Sequence, residues 1–351
     1  MILTRAPFRM TLGGGGTDLP SYYQKHGGFV VAMGLDKYMY ISLNVPLVDR
    51  MIRVQYMKSE QVDHPDQLKH ELAREALKKH GIFSQIEITS TADLPAGSGL
   101  GSSSCYLVAL LMALHAYRRR QASLVELAEE ASAIEHGILN QPIGKEDQYL
   151  AAFGGVSVLE IERDGRVRHR FAEMALSSVP DFVANTHLYW TGVRRSGPEV
   201  LRDQAMAMAD PASPQRAVVE ESLHAIKDIG YQTVAAIESG NFDEFGRLMD
   251  RHWSYKKRMS PRITIPGIDE LYAELKVRFG VLGAKVAGPG GGGFLMVYAP
   301  ANHAALTRFM GERGLRRLHY GVEFEGVKVL TNNTHYGGGY TPEVVGHRPA
   351  N

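Results

Sequence analysis

Twelve of the chain's 37 glycines fall in three clusters, and each cluster has neighbours that could hold an anion or a sugar. The second cluster is the most explicit. Asp93-Leu94-Pro95-Ala96-Gly97-Ser98-Gly99-Leu100-Gly101-Ser102-Ser103-Ser104 runs straight into an apolar helical stretch. Backbone N–H groups of such a loop, with the positive end of the helix behind them, form a ready anion site. The serine hydroxyls add donors and an oxygen ligand for Mg²⁺. The plainer alternative is a glycine turn with a serine N-cap, but three glycines before three serines exceed what a cap requires. A Walker A loop is excluded, because no Gly-Lys-Ser/Thr stands at the required spacing.

The first cluster, Gly13-Gly14-Gly15-Gly16-Thr17-Asp18, follows the strand-like Arg9-Met10-Thr11-Leu12. Its glycines permit positive φ and close approach of backbone to a ligand, and Asp18 offers a carboxylate to sugar hydroxyls. A flexible turn is the competing reading. The third cluster, Gly288-Pro289-Gly290-Gly291-Gly292-Gly293, fits the dinucleotide pattern G-x-G-x-x-G, yet it leads into the strand Phe294–Ala299. The dinucleotide fingerprint must open a helix, so that reading fails. A glycine loop between two strands brings bare backbone against something bulky, such as a phosphate chain or another loop.

These loops need elements to position them. Short β-type stretches are expected at 2–5, 29–31, 38–43, 52–55 and 86–91, with a helix over 66–80. Helices are expected over 102–120 and 124–139, the second with Leu124, Leu127, Ala128, Ala131, Ile134 and Ile138 on one face. A hairpin fits 156–160 and 167–171 around Arg163-Asp164-Gly165-Arg166. Beyond Pro180 the pattern predicts helices at 198–209, 216–239, 241–258 and 268–279. Strands at 284–287 and 294–299, a helix at 302–313 and a strand at 326–330 complete an α+β unit. The boundary between the two units is placed near 185, and the Gly- and Pro-rich tail 336–351 is expected to be loosely held.

Composition narrows the class. At 351 residues the chain can bury a sizeable core without staples. Its 39 Lys plus Arg against 38 Asp plus Glu argue against a dedicated nucleic-acid or acidic-membrane binder. The single cysteine, Cys105, forbids an intramolecular disulfide and sits in an apolar helix start, so it reads as inert core. No signal-peptide pattern opens the chain, and the apolar run 106–117 falls short of the ~20 residues that span a bilayer. A soluble, cytoplasmic protein is the expectation. At average usage the chain would carry about 25 glycines, so the twelve in the loops account for the excess.

Three loops in this order resemble the three signature motifs of the GHMP kinases. The residues that carry the resemblance are Ala6-Pro7-Phe8-Arg9…Gly15-Gly16-Thr17-Asp18, Pro95…Gly97–Ser104 and Ala284-Lys285-Val286-Ala287-Gly288–Gly293, and it extends to about residue 330. Within the superfamily the chain is most similar to the D-glycero-D-manno-heptose 7-phosphate kinases, with fucokinase a close relative. Gly144-Lys145-Glu146-Asp147-Gln148, Thr191–Ser196 and Trp253…Lys256-Lys257 point to that branch. Galactokinases would carry Glu-His where Gly15 and Gly16 stand. The resemblance implies an α+β fold of two domains. The first, 1–185, would be like ribosomal protein S5 domain 2, and the second, 186–351, ferredoxin-like.

It also implies an ATP- and Mg²⁺-dependent kinase acting on O1 of a heptose 7-phosphate, in nucleotide-heptose synthesis for surface polysaccharide. Pro95, Gly97, Ser98, Gly99, Leu100, Gly101, Ser102, Ser103 and Ser104 would cradle the ATP phosphates. Ser103 and Glu135 would hold the metal. Periodicity supports Glu135 independently, since it lies four residues after Ala131 and eight after Leu127; an edge-of-helix carboxylate is the alternative. Asp147 would be the base and Arg9 the cation beside it. Gly14, Gly15, Gly16, Thr17 and Asp18 would meet the acceptor, with Gly290 and Gly291 also assigned to substrate. Lys145, Arg194 and Arg195 would meet its phosphate, and Lys256 and Lys257 are further candidates, although charge runs are usually solvated. His187 and His252 read as structural or surface residues, and no His/Cys/Asp group has zinc spacing. A kinase for free fucose or another hexose, or a catalytically silent sugar-binding regulator, are the alternatives. The partners implied are ATP and a small sugar phosphate, with no nucleic acid or membrane; a homo-oligomer remains open.

Overall fold

The computed structural model describes residues 1–194, 197–209 and 213–333. Two sheets organise the chain, each with helices packed against it. The chain opens on β1 (Ile2–Gly13), a short helix α1 (Pro20–His26) and the 17-residue β2 (Gly28–Asn44). β2 is longer than the two strands expected at 29–31 and 38–43. Gly34, Asp36 and Lys37 hide its continuity, but the strand carries on through them and serves two neighbours. Its first half pairs with β6 (Val156–Ile161) and its second with β5 (Ile86–Ala92).

Between these lie β3 (Ile52–Gln55), β4 (Ser59–Val62) and α2 (Glu71–Lys79). With a last strand β12 (Lys328–Asn332), the order β12-β1-β2-β5-β3-β4 describes the main path, with β6 and β7 (Val167–Phe171) as a branch. Here β12 corrects the expectation for 326–330. It leaves the second unit and pairs antiparallel with β1. The register of β1 on β2 shifts between Pro7 and Arg9, where the ladder jumps from Tyr38 to Gly34. Irregularities of this kind re-aim side chains, and this one sits at Arg9.

α3 (Ser102–Tyr117) is apolar all round and buried beneath β1 and β2, with the Cys105 thiol donating to the Pro7 carbonyl at 3.0 Å. α4 (Leu124–Ser132) begins with a capping box between Ser123 and Glu126. It does not continue as one α-helix to 139. A π-helical turn over Ala133–Ile138 inserts a residue into the phase, which leaves Ile138 exposed and buries Glu135 completely. α5 (Glu146–Phe153) follows and is too short for its periodicity to be legible.

After α6 (Val179–Asn185) comes β8 (Thr186–Trp190), then α7 (Gly197–Ala209), α8 (Gln215–Glu238), α9 (Phe242–Met259) and α10 (Ile268–Phe279). β9 (Gly283–Val286), β10 (Phe294–Tyr298), α11 (His303–Glu312) and β11 (Arg316–Leu318) complete the second unit. Its sheet runs β11-β8-β10-β9, all antiparallel, which is the four-one-three-two order of a ferredoxin-like fold. α8 ties the units together: Gly230 lies against Gly14, and Tyr231 stacks on Phe29 with ring centroids 3.9 Å apart. The tail 336–351 lies outside the described residues. Among those residues, no helix is long and apolar enough to cross a membrane.

Candidate active site

A cleft opens where the first glycine loop, the start of α5, and helices α7 and α9 of the second unit converge. Arg9 stands at its wall, 4% exposed. Its Nε donates to Asp147 Oδ1 at 2.7 Å, its Nη2 lies 2.6 Å from the same oxygen, and its Nη1 donates to the Gly99 carbonyl at 2.8 Å. The Arg9 backbone N–H donates to the Leu100 carbonyl at 3.1 Å. One guanidinium therefore spans the second glycine loop and the carboxylate of Asp147. Burial opposes the Arg9 charge, but Asp147 and Glu146 more than offset it and hold its pKa above the ordinary arginine range. The Asp147 side chain keeps 29% of its surface open, so it is paired yet reachable.

Three further carboxylates have separate tasks. Glu146 is buried, accepts from Thr11 Oγ1 and lies 3.2 Å from Arg9 Nε. Burial pushes its pKa up to about 7 against the pull of Arg9. Asp18 accepts from the Gly16 and Glu146 backbone N–H groups at 3.2 and 3.1 Å, and burial raises its pKa as well. Glu135, on the π turn, accepts from Ser103 Oγ, Ser104 Oγ and Gln148 Nε2, each at 2.7 Å. No Lys or Arg among the described residues forms an ion pair with it. A fully buried carboxylate set among hydroxyls, without a protein cation, has the donor chemistry of a hard divalent ion.

The loop 97–104 adopts the shape that an anion needs. Gly97, Gly99 and Gly101 take φ of +74°, +80° and +83°, all left-handed. Gly101 is itself the N-cap of α3, with no side-chain cap, so the serine-cap alternative is not realised and the first N–H groups of α3 stay free. Pro95 is half-buried at the start of the loop, Ser102 is half-buried and Ser103 exposed. The Leu100 side chain is wholly in the core, and Ser98 is buried with its hydroxyl unpartnered.

The third loop is held against the second, and of its residues Gly288 and Pro289 line the cleft. A Cβ on Gly288 would lie 2.6 Å from the Gly99 carbonyl, and one on Gly293 2.2 Å from that of Ser98. Gly290 and Gly291, expected at the substrate, pack on Ile263, whose carbonyl accepts from Gly291 N–H at 2.7 Å. Gly293→Ala should therefore push the two loops apart at a residue whose φ is +87°. The expected outcome is a loss of about 1–3 kcal/mol in urea denaturation, the cost of holding an L side chain in a sparsely allowed backbone region. An unchanged unfolding midpoint would contradict it.

Other expected substrate residues divide. Gly15 and Gly16 line the cleft with Asp18, while Gly14 presses on the Phe29 carbonyl at φ +78°. Thr17 is a fully buried staple: its hydroxyl donates to the Gly14 and Phe29 carbonyls and accepts from Phe29 N–H. Lys145 turns away, donating to both oxygens of Glu129 and to the Gly165 carbonyl. Lys257 is paired with Asp269 at 2.6 Å. Arg194 is exposed and does not line the cleft, and Arg195 lies outside the described residues.

Three cleft residues were missed or undervalued: Glu146, Lys285 and His252. Lys285 carries a legible signal, a lysine inside the apolar strand Gly283-Ala284-Lys285-Val286. His252 reads as one more polar residue on a charged helix, yet it is buried. His187, by contrast, is structural, with its ring bonded to the Tyr189 hydroxyl and the Ala184 carbonyl. The fold also assembles two His/Glu groups that spacing does not reveal, His26–Glu220–His224 and His80–His115–Glu130, both outside this cleft.

The fold and this cleft define a phosphotransferase with an alcohol acceptor. The family descriptions "GHMP kinases N terminal domain" and "GHMP kinases C terminal" match residues 68–155 and 233–313, and the chain belongs to the GHMP kinases. A D-glycero-alpha-D-manno-heptose 7-phosphate kinase of Campylobacter jejuni is 26% identical, over 85% of this chain and 89% of its own length. An L-fucokinase/L-fucose-1-P guanylyltransferase of Bacteroides fragilis is 27% identical over 86% of this chain and 35% of its own. A solved D-glycero-D-manno-heptose 1-phosphate kinase from Bacteroides thetaiotaomicron superposes with a TM-score of 0.77. That match covers 95% of this chain and all of the other, at 23% identity, and shows a shared fold.

Proposed function

We propose that the chain is an ATP- and Mg²⁺-dependent sugar kinase of the cytoplasm that phosphorylates O1 of D-glycero-D-manno-heptose 7-phosphate, in the synthesis of nucleotide-heptoses. The observation that carries this reading is the Arg9 bridge, one cation touching both the Gly99 carbonyl and Asp147. It sets the loop suited to nucleotide phosphates against a carboxylate suited to an acceptor hydroxyl. The likeness to the Campylobacter jejuni heptose 7-phosphate kinase supports the choice of acceptor.

Asp147 takes the proton of the acceptor hydroxyl as that oxygen attacks the γ-phosphorus and the bond to the β–γ bridging oxygen breaks. An anomeric hydroxyl is more acidic than an ordinary alcohol, which lightens the demand on Asp147. Arg9 holds the Asp147 carboxylate in place through Nε and Nη2 and faces the charge that develops on the attacking oxygen. The free N–H groups of the loop and of the first turn of α3 receive the phosphate oxygens. Ser103 and Glu135 would hold Mg²⁺, which supplies charge neutralisation on the phosphates. Asp18, fixed by two backbone N–H groups, presents oxygen to the sugar hydroxyls.

ATP turnover coupled to ADP detection, run on heptose 7-phosphate, free heptose, fucose and galactose, tests the reading. The phosphorylated heptose should give the highest kcat/KM, with a 1,7-bisphosphate as product. Turnover only on the unphosphorylated sugars would sink it.

A further inference from the structure

The inner wall of the cleft carries more positive charge than the protein itself satisfies. Lys285, 2% exposed, donates from Nζ to the Leu12 carbonyl at 3.1 Å. Lys256, on α9, donates to the Gly288 carbonyl. Among the described residues neither ammonium has a carboxylate within ion-pair distance, whereas Lys145, Lys257 and Lys276 all do. Each ammonium has three N–H groups and, among the described residues, one protein acceptor, so donors remain on both.

His252 lines the same cleft, 1% exposed, with no partner for either ring nitrogen. The carboxylate whose field both lysines feel is Glu146, which is already bonded to Thr11 and close to Arg9. Buried charges and ring nitrogens are ordinarily paired or hydrogen-bonded, so three such groups left open together on one wall mark a ligand's place. Burial depresses all three: Lys256 falls to about 8, and Lys285 and His252 lie well below their ordinary values. An incoming dianion would reverse that for the lysines.

We propose that His252, Lys256 and Lys285 form a receptor for a phosphate monoester dianion, and that the group it holds is the acceptor's own phosphate. This rests on the reading of the acceptor as a phosphorylated sugar. The cleft that the three residues line is also walled by Gly15, Gly16 and Asp18, and no residue of the loop 97–104 lines it. The receptor therefore belongs to the acceptor side. Its residues come from α9 and from β9, whereas Arg9, Asp18 and Asp147 belong to the first unit, so the sugar would be gripped by one unit and activated by the other.

Lys285→Met and Lys256→Met test this, with kcat/KM measured on heptose 7-phosphate and on free heptose. The expected result is a fall of about 10- to 100-fold in the ratio of the two for each variant, expressed mainly in the KM of the phosphorylated sugar. The KM for ATP should stay within about threefold. An equal loss on both sugars would overturn the proposal, and a selective rise in the KM for ATP would reassign the cations to the nucleotide's phosphates.

Thermal melting adds a readout independent of turnover. Inorganic phosphate should raise the melting temperature of the wild type and not that of Lys285→Met. Without phosphate the variant should melt no lower, because it loses a buried unpaired charge; a merely structural lysine would instead leave the variant less stable. If the wild type acts only on unphosphorylated sugars, the acceptor assignment fails. A phosphate shift that is still lost in Lys285→Met would then keep the receptor, and its absence in the wild type would overturn the receptor too.

Discussion

Replacing Asp147 with Asn will slow turnover by about 10²- to 10⁴-fold, the usual worth of a positioned proton acceptor, while the KM for ATP stays within a few-fold. The change removes the ability to take a proton and little else. Asn matches Asp in size, and the Arg9 guanidinium keeps its other anchors, the Gly99 carbonyl at 2.8 Å and Glu146 at 3.2 Å. The loop that Arg9 holds should therefore remain in place. Because an anomeric hydroxyl needs less help in losing its proton, the loss should fall toward the lower end for O1 and be larger for a less acidic hydroxyl. Single-turnover measurement of phosphoryl transfer separates this from slow product release. Undiminished turnover would remove Asp147 from the chemistry and leave the family assignment intact.

Arg9→Met should be as damaging to activity and far more so to folding. Loss of one group that stabilises developing charge costs about 10²–10³ in kcat. The same substitution leaves Glu146 and Asp147, beside Asp18, with no cation in ion-pair contact. Breaking a buried ion pair by removing one partner costs about 3–5 kcal/mol, and urea denaturation should show a loss on that scale. The loss should grow with pH. Glu146 already has its folded pKa raised to about 7 by burial. Between its unfolded value and that value the native state binds a proton that the unfolded chain has released, so stability falls as pH rises through this window. Without Arg9 the folded pKa rises further and the window widens upward. Adding Glu146→Gln to Arg9→Met should recover part of the stability and none of the activity. Recovery of both would mean that Arg9 is only a structural counter-ion.

Much of the arrangement was legible because glycine clusters are conspicuous in any sequence. All three loops sit where close backbone approach is required, and the left-handed turns at Gly97, Gly99 and Gly101 are ones that glycine permits. What could not be read was which partner each loop faces. The third loop presses on the second, so Gly290 and Gly291 serve Ile263, and Thr17 serves Gly14 and Phe29. Periodicity pointed to a buried Glu135 and got the mechanism half right. The residue is buried, but on a π turn that shifts the phase and turns Ile138 outward. Charge runs misled in both directions. Of the adjacent Lys256 and Lys257, one faces the cleft and the other pairs with Asp269, a difference set by a single step of about 100° around α9. β12 was assigned to the wrong sheet because a strand's sequence carries its hydrophobic pattern and not its address.

That last strand has a consequence for how the chain fails. The Asn333 N–H donates to the Met1 carbonyl, so the two ends of the described chain meet at one edge of the first sheet. A stop codon late in the gene would therefore injure the half that is synthesised first, stripping β12 from β1 and baring the edge of β1 over Ile2–Arg5. Such an edge invites pairing with a second molecule. Truncated products should accumulate as aggregates rather than as soluble fragments, and the fold behaves less like two beads on a string than like a ring fastened at its seam.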